Sequence, residues 1–477
     1  MKRIPQGLAL VSAAALAAFG CHALDVQTPD IVPPTSLNDP NALPTLRAGA
    51  IGDFEIAYDG SGAQGSSGTT EGQVAASGTI ADEWVNTETF PDRVSADART
   101  VDPSSATYAT IFANLNRARV STEHAATAFR SLSDTTQNAG LSEMMSLAGF
   151  TYVMLAENYC NGVPLDQLNA DGTVTHGVQL TTSQILDTAQ DRFTQALAAA
   201  QALNIAGANG AATKTKFVAL ATVGLARTLL DQGDAAGASA AASDALAPTA
   251  FSYVVEHDLN SFRQQNGVFN GNRNFKRYGV ADLKGGVGFP YMSVPDPRTP
   301  FFRLPATNLG FDKKTPQFDQ LRYVDQKAST TVATGTEARL INAEASLLAG
   351  DTVGFMDQLN TLRASPPAYF LVGNPPGPIP AGALAPLATP TSDTAAVSLL
   401  FAERARWLWF TAHRLNDLRR LVRPIGQRGG YGRAVNAVFP NGPYFKNGLT
   451  YGNDVNLPVP LTEQNNPNFV QCIDRNP

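Results

Sequence analysis

The chain of 477 residues is poor in cysteine, histidine and charge. Three cysteines (Cys21, Cys160 and Cys472) exclude a disulfide-dense miniprotein and a Cys-rich zinc fold. The five histidines (His22, His124, His176, His257 and His413) are scattered, with no pair at metal-ligand spacing, so no metal site is expected. Charged residues make up 16%, below the roughly 25% of an average soluble protein. Their balance is acidic, with a net charge of −6 and a pI near 5.5, which excludes a general nucleic-acid binder. No G-x-S-x-G, HExxH or P-loop is present, so neither a catalytic residue nor a cofactor is assigned. Beyond the first twenty residues no apolar run is long enough to span a membrane.

What is present is length, turn formers and a leader. A chain this long buries a large core, and 40 glycines with 31 prolines predict long irregular segments. Residues 1–20 read as a signal peptide: Lys2 and Arg3 are basic, Leu8 to Phe19 are apolar, and Gly20-Cys21 follows. Cleavage after Ala23 or after Gly20 satisfies an ordinary signal peptidase. A lipoprotein reading instead makes Cys21 the acylated first residue, with Ala18 and Phe19 replacing the usual Leu and small residue. Residues 21–38, rich in Pro and Thr, read as an extended leash, and residues 39–477 as one domain.

Helical patterning dominates that domain. Asp39-Pro40 starts a helix to about Tyr58, and a second helix is expected from about Glu71 to Val85. Leu141, Met144, Met145, Ala148, Tyr152 and Leu155 share one helical face. Thr181 to Gln184 is a capping-box start for a helix reaching about Leu203. Over about 214–248, Gly224, Ala236 and Pro248 fall at tetratricopeptide offsets, and 337–367 repeats the pattern around Gly350-Asp351. The reading is mainly α: tetratricopeptide-like hairpins with long irregular loops and little β. Residues 250–330 carry many aromatics among Gly, Asn and Pro. A loop region this long is usually functional. Residues 424–477 form a second irregular segment, a Gly-, Asn- and Pro-rich tail.

Several constellations have plain readings. Gly60 to Gly65 fits GxGxxG but follows a helix, so it is a loop. Asp82-Glu83 are neighbours and would diverge by about 100° on a helix, which is no acid/base dyad. Cys160 lies at a helix end and turn, which suits a structural or disulfide cysteine better than a nucleophile. Eight arginines and no lysine between Arg404 and Arg433 suit ion pairing within the fold, for example around Asp417.

A helix expected over 398–421 contains Glu403-Arg404, Leu408, Arg414, Asp417-Leu418 and Arg420. These residues resemble the C-terminal signature of the SusD/RagB family of outer-membrane nutrient-uptake lipoproteins. Trp407 stands where that family has Glu, and Thr411-Ala412 replace Glu-Gly, which suggests a divergent branch. Also similar are Cys21 with Leu24-Asp25-Val26, Asp82-Glu83, Arg117-Ala118-Arg119, Asn161 to Leu165, Glu337 to Gly350, and the tail Leu457-Pro458-Val459-Pro460, Glu463 and Asn466-Pro467.

The resemblance implies a SusD-like, surface-exposed lipoprotein anchored in the outer membrane through Cys21. It would bind an oligosaccharide or peptide and deliver it to a SusC-like TonB-dependent transporter, without catalysis. Glu403, Arg404, Arg414, Asp417 and Arg420 would be structural. Ligand contacts are expected from Trp84, Phe90 and Arg93, near the exit from the second helix, and from Tyr278, Phe289 and Tyr291 in the middle loops. With Cys21 acylated, Cys160 and Cys472 remain in an oxidising compartment and are expected to pair. The rival readings are an anchored surface hydrolase and a tetratricopeptide scaffold without a small ligand.

Overall fold

A computed structural model describes residues 39–63, 71–169, 173–303 and 307–477. The expected signal peptide, the leash and Cys21 lie outside these described residues. Asp39 caps the first turn by accepting from Asn41 N–H, and Pro40 opens a 3-10 turn that runs into α1 (Leu43–Asp59). The next helix, α2 (Gln73–Ile80), is shorter than expected. It stops before Asp82, and the chain enters β1 (Trp84–Asn86), so Asp82, Glu83 and Trp84 are not helical.

Six more helices follow, four of them long: α3 (Pro91–Asp97), α4 (Ala106–Leu132), α5 (Gly140–Asn158), α6 (Thr182–Ala202), α7 (Gly207–Gln232) and α8 (Ala235–Ala241), of which α3 and α8 are short. The capping box at Thr181 and Gln184 starts α6. Gly233, left-handed at φ 92°, ends α7 and lets Asp234 cap α8. The second hairpin has the same chemistry: α9 (Gly335–Leu348), left-handed Gly350, then α10 (Thr352–Ala364) capped by Asp351.

Each helix packs on the next, from α4 through α10, with α1 laid on α4. Phe193 of α6 shows how close the layers are. A Cβ on Gly149 of α5 or on Gly224 of α7 would fall within 3 Å of its ring, so both glycines are needed to admit it. Every residue of α5 is buried at the centre of this stack. The strands are short and pair in twos: β1 with β3 (Tyr278–Val280), β2 (Ser252–Val255) with β6 (Thr330–Thr334), and β4 (Phe301–Arg303) with β5 (Phe318–Gln320).

The segment expected as one helix over 398–421 is two: α11 (Asp393–Trp407) and α12 (Arg414–Val422). Between them Phe410 and Ala412 take left-handed backbone (φ 55° and 62°). Its charges pair across the fold rather than along one helix. Arg404 meets Asp417 (2.8 Å), Arg414 grips Asp82 with two bonds (2.6 and 2.7 Å), and Arg420 meets Glu344 (3.1 Å). Glu403 receives Arg298 and Arg363. All five signature residues are buried, where a charge must be paired to be tolerated. The tail is stapled by a disulfide between Cys160 and Cys472, whose Cα atoms are 6.0 Å apart, within the usual range.

Candidate ligand-binding site

Strand β1 pairs antiparallel with β3, Trp84 opposite Val280 and Asn86 opposite Tyr278. The alternation turns Trp84 and Asn86 inward. Trp84, 1% exposed, stacks on Phe410 with ring centres 3.8 Å apart. Trp409 continues the stack to Tyr291, and Phe289 meets Tyr291 edge-on at 4.9 Å. Tyr278 lies 6.2 Å from Trp84, and its hydroxyl reaches Glu71. Four of the expected ligand residues therefore do come together, but against the loop between α11 and α12.

This corrects the expectation for Trp84, Tyr278 and Tyr291, whose rings are core and offer no face to a ligand. Phe289 is half-buried, with the guanidinium groups of Arg406 and Arg414 over its ring at 4.8 and 5.4 Å. The physical reason is the C-terminal loop. Glu83 accepts from Phe410 N–H (2.9 Å) and Asp82 from Phe289 N–H (2.8 Å), so the acidic pair pins both aromatic segments over β1.

Phe90 and Arg93 stand apart from that cluster. Phe90 is 46% exposed at the start of α3. Arg93 lies 5.2 Å from its ring and bonds Glu71 (2.6 Å) and Glu88 (2.8 Å). Burial raises the Glu88 carboxyl above its ordinary range, against the opposing charge of Arg93.

Next to Glu88 runs a groove of about 520 Å³, between the loop after β1, the turn 312–316 and the tail loop 445–447. A further hollow of about 300 Å³ shares Thr315, Pro316 and Phe445 with it and is floored by Val85, Met292 and Phe318. Phe445 projects into both and is 50% exposed; Phe311 beside the turn is also exposed. Lys446 fixes the tail loop: its ammonium bonds Asp312 (2.8 Å), Asn86 Oδ1 (3.1 Å) and the Glu88 carbonyl (2.9 Å). Burial would raise Asp312, but Lys446 and the Thr315 hydroxyl and N–H outweigh it and bring it down to about 2.

Phe445, Lys446 and the Asp312 turn escaped the sequence reading. The available signal was an aromatic between two turn clusters, Asn441-Gly442-Pro443 and Asn447-Gly448, whose Gly442, Asn447 and Gly448 all have positive φ. A larger groove, about 620 Å³, separates α4 from residues 164–168, but no aromatic residue lines it. The void beside His413 holds only about 10 Å³, room for one water. No group of three or more potential metal ligands occurs among the described residues.

No protein-family model matches the chain, and no curated protein matches it. Solved structures do. The surface glycan-binding protein A from Bacteroides uniformis superposes with a TM-score of 0.61 at 14% identity, over 91% of this chain and 99% of its own. A laminarin-binding SusD-like protein gives 0.58 at 15%, over 91% and 99%. A SusD-like carbohydrate-binding protein from Bacteroides vulgatus gives 0.54 at 13%, over 80% and 83%. The chain has the SusD-like fold, mainly helical and tetratricopeptide-like.

Proposed function

We propose that this chain is a divergent member of the SusD/RagB family that binds an oligosaccharide in the groove beside Glu88 and Phe445. The observation that carries the reading is an exposed aromatic ring, Phe445, standing in a groove of about 520 Å³ among hydrogen-bonding side chains. A sugar offers an apolar face for such a ring and hydroxyls for Thr89, Thr315 and Asn447. The fold's glycan-binding neighbours support the ligand class. Residues 39–477 act as one binding domain behind a signal peptide and a leash acylated at Cys21. The protein hands its ligand to a TonB-dependent, SusC-like transporter in the outer membrane and performs no chemistry on it.

A glycan array with the purified protein, followed by calorimetry, tests the reading. Phe445→Ala and Phe90→Ala should each weaken binding about tenfold, on the order of 1–3 kcal/mol per stacked ring by analogy with base stacking, while the melting temperature barely moves. Unchanged affinity in Phe445→Ala would remove the groove from consideration. Product release from the bound glycan would favour the hydrolase, and affinity capture from solubilised outer membranes tests the transporter.

A further inference from the structure

The charge balance of the groove differs from that of the chain. The protein carries 41 acidic and 35 basic residues. Around the groove the carboxylates are consumed internally. Glu88 and the buried Glu71 are bracketed by Arg93 and Arg277. Asp312 accepts from Lys446, from the Thr315 hydroxyl (2.6 Å) and from two backbone N–H groups. Asp282, at the edge of the inner hollow, accepts from the N–H groups of Met292 and Ser293.

The cations are not matched in the same way. Lys313 and Lys314 are exposed on the turn that Asp312 caps, and neither has an acidic partner among the described residues. Lys276, behind the same hairpin, donates to the neutral amide of Asn308 (2.5 Å), and its charge acts on the carboxylate of Asp319, so it adds no unmatched charge. Lys314 lines the groove itself. Lys313 and Lys314, against Asp282, which has no basic partner among the described residues, leave a local excess of about one positive charge on an acidic protein. These are lysines, flexible point charges, whereas many arginines of this chain are buried in bidentate pairs.

Resting on the glycan reading above, we infer that the oligosaccharide is anionic, bearing carboxylate or sulfate groups that Lys313 and Lys314 attract while Phe445 stacks on a sugar face. Such a ligand needs no deep charge pocket. It needs a wet basic rim beside a stacking ring, which gives an attraction that salt screens.

The test is calorimetry with three probes of equal length: tetragalacturonate, a κ-carrageenan tetrasaccharide, whose only charges are sulfates, and the neutral laminaritetraose. At 50 mM salt the acidic probe that matches the natural ligand should bind about tenfold tighter than the neutral one, and the gap should close toward 500 mM. The better of the two acidic probes distinguishes carboxylate from sulfate. The double variant Lys313→Ala/Lys314→Ala should abolish the gap between acidic and neutral probes. Lys216→Ala, on α7 outside the groove, should preserve it. Neutral binding equal to or stronger than acidic binding would overturn the inference and leave the glycan reading standing. An acidic preference that survives the double variant would overturn it too. The glycan reading itself fails separately, if an array of neutral and acidic glycans yields no ligand.

Discussion

Trp84 and Phe90 sit six residues apart and end in opposite environments. Trp84 fills the core because β1 turns it toward Phe410, and Gly78 makes room: a Cβ there would come 2.8 Å from the indole. Trp84→Ala should therefore cost about 3–5 kcal/mol, the usual range for deleting a buried aromatic, seen as a lower urea midpoint with glycan affinity unchanged in the folded protein. The sequence alone could not separate the two rings, because Trp84's cover comes from a loop more than three hundred residues away. Glu83 carries a second residue-scale consequence. Burial pushes its carboxyl up to about 8, from an ordinary 4.5, helped by the nearby Asp82 and Asp417 and opposed by Phe410 N–H and Arg414. Between those values the unfolded chain has lost a proton that the folded chain keeps, so stability falls as pH rises from about 4.5 to 8. His257 adds a later fall. Burial opposes its charge, but Asp59 and Glu55 hold it protonated to about 10, so its contribution is complete below 6.5 and lost as pH rises to 10. Glu83→Gln mimics the neutral acid and should make the fall between about 4.5 and 8 shallower in a series of denaturation curves; Glu157, which burial likewise raises to about 8, keeps its own share of that fall.

The element most misread from sequence is the segment joining α11 to α12. Its Leu, Trp and Phe residues continue a helical period, so periodicity extended one helix to 421. What breaks it is tertiary. Backbone groups released at 408–413 find distant partners: Phe410 N–H on Glu83, Phe410 O from the Tyr323 hydroxyl (3.1 Å), and Thr411 O from the Tyr58 hydroxyl (3.0 Å). Elements with local signals were legible, including the capping box of α6 and the Gly-Asp corners of both hairpins, because caps and left-handed glycines act within a few residues. The groove was half legible. Phe90 and Arg93, read as site residues, lie beside its lining residues Glu88 and Thr89 but are not among them, and the tail loop with Phe445 is tied to the others through Lys446. The break also explains a feature of the signature. Ala412, at φ 62°, occupies the position where the resembling family has Gly. A Cβ in that conformation costs roughly 1–2 kcal/mol, partly offset by the greater unfolded freedom of glycine. Ala412→Gly should raise stability by about 0.5–1 kcal/mol, measured as a shift in the denaturation midpoint without a change in slope.

At the scale of the molecule, the entry of the chain and the groove lie at opposite ends of α1. The described chain enters at Asp39, beside the first turn of that helix. Glu71, which bonds Arg93 and through it Glu88 in the groove lining, is followed by Gly72 packed against Tyr58 and Gly60 at the helix's far end. Seventeen residues at 1.5 Å each put about 25 Å between them. Among the described residues no helix is long and apolar enough to cross a membrane. Attachment by acylation at Cys21 would act through the chain that joins the described residues at Asp39. One acyl chain holds a protein only marginally, and two or more hold it stably. Cys21→Ala, expressed as the full chain, should lose incorporation of labelled palmitate and move from the detergent phase to the aqueous phase on partitioning. Its glycan affinity should match the wild type within a factor of about two, since the groove is lined by residues from Glu88 onward. Retention of the variant in the membrane fraction would mean that Cys21 is not the anchor. A large loss of affinity would mean that the leash reaches the groove, and the separation along α1 would then not isolate the two functions.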